Sequence, residues 1–201
     1  VALCFAESGN DAGAIGELVL AIWPTSPPIV YRRRPLVLMK GQQAAEGRKN
    51  ALGVVAAIKA EATRATVQYV LVHRDNDAVE PHQPLNARLR SEVAAAGFDR
   101  VVAVTPAWAI EAWWYLWPQA VASVNVKWRP LGRRGDHGQI PNVKAALRRD
   151  LRTAGAADYR ESDSVKIAAA VRKMGLLDTC VGHAPSFDAF RRAVKAIAES
   201  A

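Results

Sequence analysis

Three carboxylates stand just beyond apolar, strand-like runs. Glu7 follows Ala2-Leu3-Cys4-Phe5-Ala6, and Asp75 and Asp77 follow Val67-Gln68-Tyr69-Val70-Leu71-Val72-His73. A side chain placed after a strand reaches the crevice at the carboxyl edge of a sheet, where open α/β proteins bind ligands. Carboxylate oxygens are the donors that Mg²⁺ or Mn²⁺ takes. The Asp-x-Asp spacing lets Asp75 and Asp77 converge on one side of an extended segment while Asn76 turns away. The same residue types also serve in turns, and Asp77 suits a cap on the helix that follows.

The elements that must hold these residues alternate. A strand over 2–6 is followed by a helix over 11–20, capped by Asn10 and ended by Pro24, Pro27 and Pro28. Residues 29–39 form a surface excursion with a strand, interrupted by Arg32-Arg33-Arg34. A helix over 44–62, a strand over 67–72 and a helix carrying Leu85, Leu89 and Val93 come next; Pro81 and Pro84 frame the start of that helix and Gly97 stops it. A strand over 101–105 then leads through Pro106 into a helix over 107–117. This order predicts an α/β fold with a mostly parallel central sheet and helices on both faces. Beyond residue 118 a basic loop precedes helical patterns over 142–152, 164–173 and 186–198. The expected organisation is an α/β core over 1–118 and a helix-rich C-terminal region over 119–201, packed on the same domain.

Glu111 lies one turn into the expected 107–117 helix among apolar neighbours. Facing inward it would need a metal, a base or hydrogen-bond donors; facing outward it would need nothing. Trp108, Trp113, Trp114 and Trp117 could stack bases, but aromatic residues at helical spacing mostly supply core volume. Candidate phosphate contacts are Arg32, Arg33 and Arg34, then Lys127, Arg129, Arg133 and Arg134, and the helical cluster Lys144, Arg148, Arg149 and Arg152.

Of the 201 residues, 27 are Lys or Arg and 19 Asp or Glu, a formal charge of +8 that points toward an anionic partner. Two cysteines, Cys4 and Cys180, provide neither a disulfide framework nor a zinc pattern. His73 on its strand is expected to be packed or hydrogen-bonded, and His82, His137 and His183 lack ligand spacing. Gly9, Gly13 and Gly16 do not form a phosphate loop of the Gly-x-x-x-x-Gly-Lys type. No apolar run approaches the roughly 20 residues of a membrane span, and the start lacks the pattern of a secretory signal; a cytoplasmic protein is expected.

The order of these motifs resembles a known family. Ala6-Glu7-Ser8-Gly9-Asn10-Asp11 and His73-Arg74-Asp75-Asn76-Asp77 resemble the Glu and Asp-x-Asp motifs of Toprim domains, the metal-dependent catalytic folds of topoisomerases, primases and OLD-like nucleases. Ala109-Ile110-Glu111-Ala112-Trp113, Pro141-Asn142-Val143-Lys144-Ala145-Ala146-Leu147, Tyr159-Arg160-Glu161-Ser162-Asp163 and Ser186-Phe187-Asp188-Ala189-Phe190 look like the closing segments of the Toprim-like family DUF4276. The chain departs from the usual Toprim start with Glu7-Ser8-Gly9, and Ala78-Val79-Glu80 follows the Asp pair where another aspartate is common.

The resemblance implies a nuclease of a phage-defence system that uses Mg²⁺ or Mn²⁺, with Glu7, Asp75 and Asp77 as metal ligands and Glu111 as a helix-borne acid. Nucleic acid would meet Arg129, Arg133, Arg134, Lys144 and Arg148, and an ATPase is the implied partner. No tyrosine lies in a topoisomerase nucleophile motif. The alternatives are a non-catalytic Toprim-like protein that docks on an ATPase, and a small-molecule phosphoesterase.

Overall fold

The computed structural model describes residues 1–32, 44–80 and 83–201. Arg33, Arg34, Pro81 and His82, and most of the 29–39 excursion, lie outside the described residues. Four short strands, β1 (Ala2–Phe5), β2 (Ile29–Arg32), β3 (Tyr69–His73) and β4 (Val101–Val104), form one sheet in the order β2-β1-β3-β4. Every pairing is parallel, with Ala2 opposite both Ile29 and Tyr69, and Val70 opposite Val101. The predicted α/β class and parallel sheet are therefore present.

Helices α1 (Gly9–Ile22), α2 (Ala44–Ala62) and α3 (Gln83–Ala95) make the crossovers. Right-handed crossovers fix their sides. The chain moves one way from β1 to β2 and the other way from β2 to β3 and on to β4, so α1 covers one face while α2 and α3 cover the opposite one. The strand alternation agrees. Ala2, Cys4, Tyr69, Leu71, Val102 and Val104 pack in one core with Ile15, Leu18 and Val19 of α1. Leu3, Phe5, Val70, Val72, Val101 and Ala103 pack in the other with Val54 and Ile58 of α2 and Leu89 and Val93 of α3.

The remaining α-helices among the described residues are α4 (Glu111–Trp114), α5 (Pro118–Val124), α6 (Val143–Leu151), α7 (Asp163–Lys173) and α8 (Pro185–Glu199). All contribute buried side chains to the α1 face, so residues on both sides of position 118 share one core. Helix α7 lies along α1, where a Cβ on Gly13 would meet Val165 Cγ2 at 3.0 Å. Trp113 stacks on Phe190 and Trp117 meets the edge of Phe187, so these indoles are core volume rather than base platforms.

Three expectations for the helices need correction. The cap of α1 is Ser8 rather than Asn10: its Oγ accepts from the Asp11 N–H at 3.2 Å and donates to Asp11 Oδ2 at 2.7 Å. Residues 107–110 are not helical, because their backbone pairs with another loop. Asn76 N–H donates to Pro106 O, Asp77 N–H to Trp108 O, and Trp108 N–H to Ala78 O. Trp108 adopts φ 55° in this lacing, and the helix begins only at Glu111. The stretch after 118 contains α5, which starts on Pro118, the position where a missing N–H costs a helix nothing.

Candidate functional site

The direction of the chain reverses between β1 and β3, and this is the switch point at which a parallel sheet opens a crevice at its carboxyl edge. Glu7 leaves β1 and Asp75 follows β3 on either side of that opening. The backbone ties them together: Glu7 N–H donates to His73 Nδ1 at 3.5 Å, and the Asp75 amide lies against the Glu7 carboxylate. Desolvation beside the sheet edge and the neighbouring Asp75 charge push the Glu7 carboxyl up, although its outer edge is exposed.

His73 is buried, and its Nε2 lies 3.3 Å from Asp75 Oδ1. Burial alone would lower its pKa, but Asp75, Asp11 and Glu7 outweigh burial and raise it. Asp75 is 7 % exposed. Its Oδ2 lies 3.5 Å from Lys144 Nζ, while Oδ1 has no hydrogen bond of good geometry among the described residues.

Glu111, the first residue of α4, points inward and is 1 % exposed. Burial pushes its carboxyl up to about 7; the Lys144 charge pulls the other way, and Asp75 and Asp11 add to the rise. Tyr159 donates to Glu111 Oε1 at 3.2 Å and lies 2.6 Å from Ser164 Oγ, which accepts from Trp114 Nε1–H at 3.1 Å. An indole N–H can only donate. The single Tyr159 proton goes to Glu111, so Ser164 donates to Tyr159 and every bond in the chain runs one way, from Trp114 through Ser164 and Tyr159 to Glu111 Oε1. Glu111 Oε2, which has no partner among the described residues, is the oxygen left for a proton or a cation.

Lys144 of α6 stands among these acids. Its Nζ is 3.5 Å from Asp75 and 3.4 Å from Glu161 Oε1. Partial burial would lower its pKa, but Glu111, Asp75, Glu161 and Asp11 together raise it. The ammonium neutralises the cluster from within. Asp11, in the first turn of α1, belongs to the same electrostatic neighbourhood; it escaped sequence reading because helix N-termini commonly carry an aspartate as a cap partner.

Asp77 is not brought in. The segment after β3 does not stay extended: Asp77 turns to φ 52° in the lacing with Trp108, and its side chain is exposed. The expected convergence of Asp75 with Asp77 fails for that reason. Among the described residues no three His, Cys, Asp or Glu side chains stand close enough to hold a metal ion as they are. The kind of donor fits a hard cation, since Asp75 Oδ1 and Glu111 Oε2 are buried carboxylate oxygens without a hydrogen bond of good geometry among the described residues, Oδ1 facing only the His73 ring. The Lys144 ammonium, 3.5 Å from Asp75 Oδ2, would share that neighbourhood with a cation.

The basic candidates divide. Arg133 is engaged: its Nε donates to Asp150 Oδ2 at 2.5 Å, and its guanidinium lies 5.8 Å from the centre of the Tyr115 ring. Arg149 donates to the same Asp150, and Arg32 pairs with Glu61. Arg129, Arg134 and Arg148 are exposed and have no ion pair among the described residues. No helix among the described residues is long and apolar enough to cross a membrane. Comparison of the chain with family models, curated proteins and solved structures finds no match.

Proposed function

We propose that this protein is a Toprim-like, divalent-metal-dependent enzyme that cleaves phosphodiester bonds in nucleic acid, acting in the cytoplasm within a phage-defence system and alongside an ATPase. The defence setting and the ATPase rest on the family resemblance. The chemistry rests on one observation: Glu7 and Asp75 flank the switch point of a parallel sheet, and Glu111 turns an unpartnered oxygen toward the same neighbourhood.

Glu7 and Asp75, with Glu111 Oε2, would hold Mg²⁺ or Mn²⁺. When bound, that ion supplies a Lewis acid for the phosphate and a more acidic water. Lys144 offsets the repulsion between the carboxylates and would present its charge to a phosphate oxygen. His73 holds the loop through which Glu7 and Asp75 are brought together. Arg129, Arg134 and Arg148 offer free guanidinium groups for the phosphate backbone.

Purified protein with Mg²⁺, Mn²⁺ or EDTA and labelled single- and double-stranded DNA and RNA provides the test. Metal-dependent cleavage is expected, and Asp75→Ala should reduce it by about 100-fold or more, because it removes a carboxylate that would hold the ion. Equal cleavage by wild type and Asp75→Ala would sink the mechanism. One observation favours a second reading: Lys144 already balances the acids without a metal, as a fold retained only for docking on an ATPase would require. A stable ATPase complex with no cleavage and no nucleic-acid retention selects that reading.

A further inference from the structure

A cavity of about 480 Å³ opens beside the end of β4 between α3 and α8, and Glu7, Asp75, Glu111 and Lys144 are not in its lining. Its size falls within the usual range for small-ligand sites, about 300–1,000 Å³. Arg90 of α3 and Arg192 of α8 line it from opposite helices. Both are exposed, and neither has an ion pair or hydrogen bond among the described residues.

Two acids line the cavity as well, each held by a backbone N–H. Glu80 Oε1 accepts the Ser186 N–H at 2.8 Å, and its Oε2 is shut from solvent. It packs so closely on Gly138 that a Cβ there would meet it at 2.5 Å. Asp136 Oδ1 accepts the Gly138 N–H at 2.8 Å, and Oδ2 lies 3.6 Å from His183 Nε2. The charged groups of the lining that have no partner among the described residues and stand open to a ligand are thus two guanidinium forks, the group best shaped for phosphate.

The remaining lining gives a second specification. Asn86 uses its amide N–H groups on Ala103 O and Thr105 Oγ1, and Gln139 uses Nε2 on Glu80 O. Their amide oxygens remain as acceptors, suited to an amino group on a ligand. Ala87, Ala189 and Pro185 supply apolar wall.

We propose that this cavity binds a nucleoside phosphate carrying an amino-bearing base, with the phosphate on Arg90 and Arg192 and the base amino group on the amide oxygens of Asn86 and Gln139. The site is independent of the acidic cluster. It would take the same chemistry from a free nucleotide or from the phosphorylated end of a strand.

Isothermal titration of the full chain with AMP, ribose 5-phosphate, adenosine and a 5′-phosphorylated oligoadenylate tests the site. AMP should bind at least tenfold more tightly than ribose 5-phosphate or adenosine, because each of those lacks half of the recognition. The double variant R90A/R192A should weaken AMP at least tenfold, and Ala87→Trp, which fills the cavity from an exposed helix position, should abolish binding. Both variants should keep the wild-type circular dichroism spectrum. Oligoadenylate competing with AMP identifies a strand end as the ligand source, and its failure to compete identifies the free nucleotide. Absence of AMP binding, or AMP binding untouched by both variants, overturns the proposal.

Discussion

Glu80 and Glu111 are both buried glutamates with one carboxylate oxygen lacking a partner, yet they sit in opposite circumstances. Glu80 caps α8, accepting a backbone N–H from the first turn of a 15-residue helix, and Gly138 closes over it. Its charge is matched by fixed peptide dipoles. Glu111 begins a four-residue helix and accepts from one phenol, with a lysine and two further acids around it. Burial is common to both; the difference is whether the partner is a fixed backbone group or a set of mobile charges. Only the second kind can exchange its partner for a proton or an ion.

The largest effect expected on this contrast comes from Glu80→Ala. It removes a cap, strands the Ser186 N–H and leaves a void, for a loss of about 3 kcal/mol. At about 2–4 °C per kcal/mol in a chain of this size, the melting temperature should fall by about 6–12 °C. A melting temperature within about a degree of wild type would show that the bond to Ser186 does not hold α8.

Glu111→Gln should do the reverse. The folded-state pKa of Glu111, about 7, lies above its unfolded value of 4.5, so between those values the native state holds a proton that the unfolded state has lost. Stability therefore falls as pH rises through that window. The variant lacks this loss. It should melt several degrees above wild type at pH 8 and close to it at pH 4.5, an effect of about 3 kcal/mol. Equal melting at both pH values would make Glu111 as structural as Glu80.

Lys144→Ala sharpens the comparison through metal affinity, independent of catalysis. If the ammonium holds the place a divalent ion would take, Mn²⁺ should bind about tenfold more tightly to the variant, a difference of about 1.4 kcal/mol in calorimetry. Unchanged or weaker Mn²⁺ binding would show that Lys144 does not compete for the site.

The smallest effect belongs to Tyr159→Phe, which deletes one donor to Glu111 Oε1 at a cost of about 1 kcal/mol. Because that donor favours the ionised carboxylate, the pH window of the Glu111 loss should move upward. Melting curves across pH 5 to 9 that superimpose on wild type would break the directional chain from Trp114.

The alternation of strand and helix was legible along the chain because buried strands are short apolar runs and the crossover helices show clear periodicity. The acids after β1 and β3 were legible for the same reason, since a residue following a buried strand emerges at a defined edge. Glu111 could be marked as a candidate, but its direction could not, because helical spacing alone permits both faces. The failure at Asp77 is instructive: extended geometry was a fair local expectation, and the lacing of 76–78 with 106–108 overrode it.

By itself, then, the sequence determined the layer order, the two-sided burial of the sheet, and which carboxylates stand after strands, because these follow from local periodicity and chain direction. Only the tertiary structure decided that Lys144 lies among those carboxylates, that Tyr159 and Ser164 orient Glu111, and that Arg90 and Arg192 face one cavity. Each of these joins residues from about 30 to over 100 positions apart, and such distances are set by how helices pack on a sheet, which no local spacing encodes.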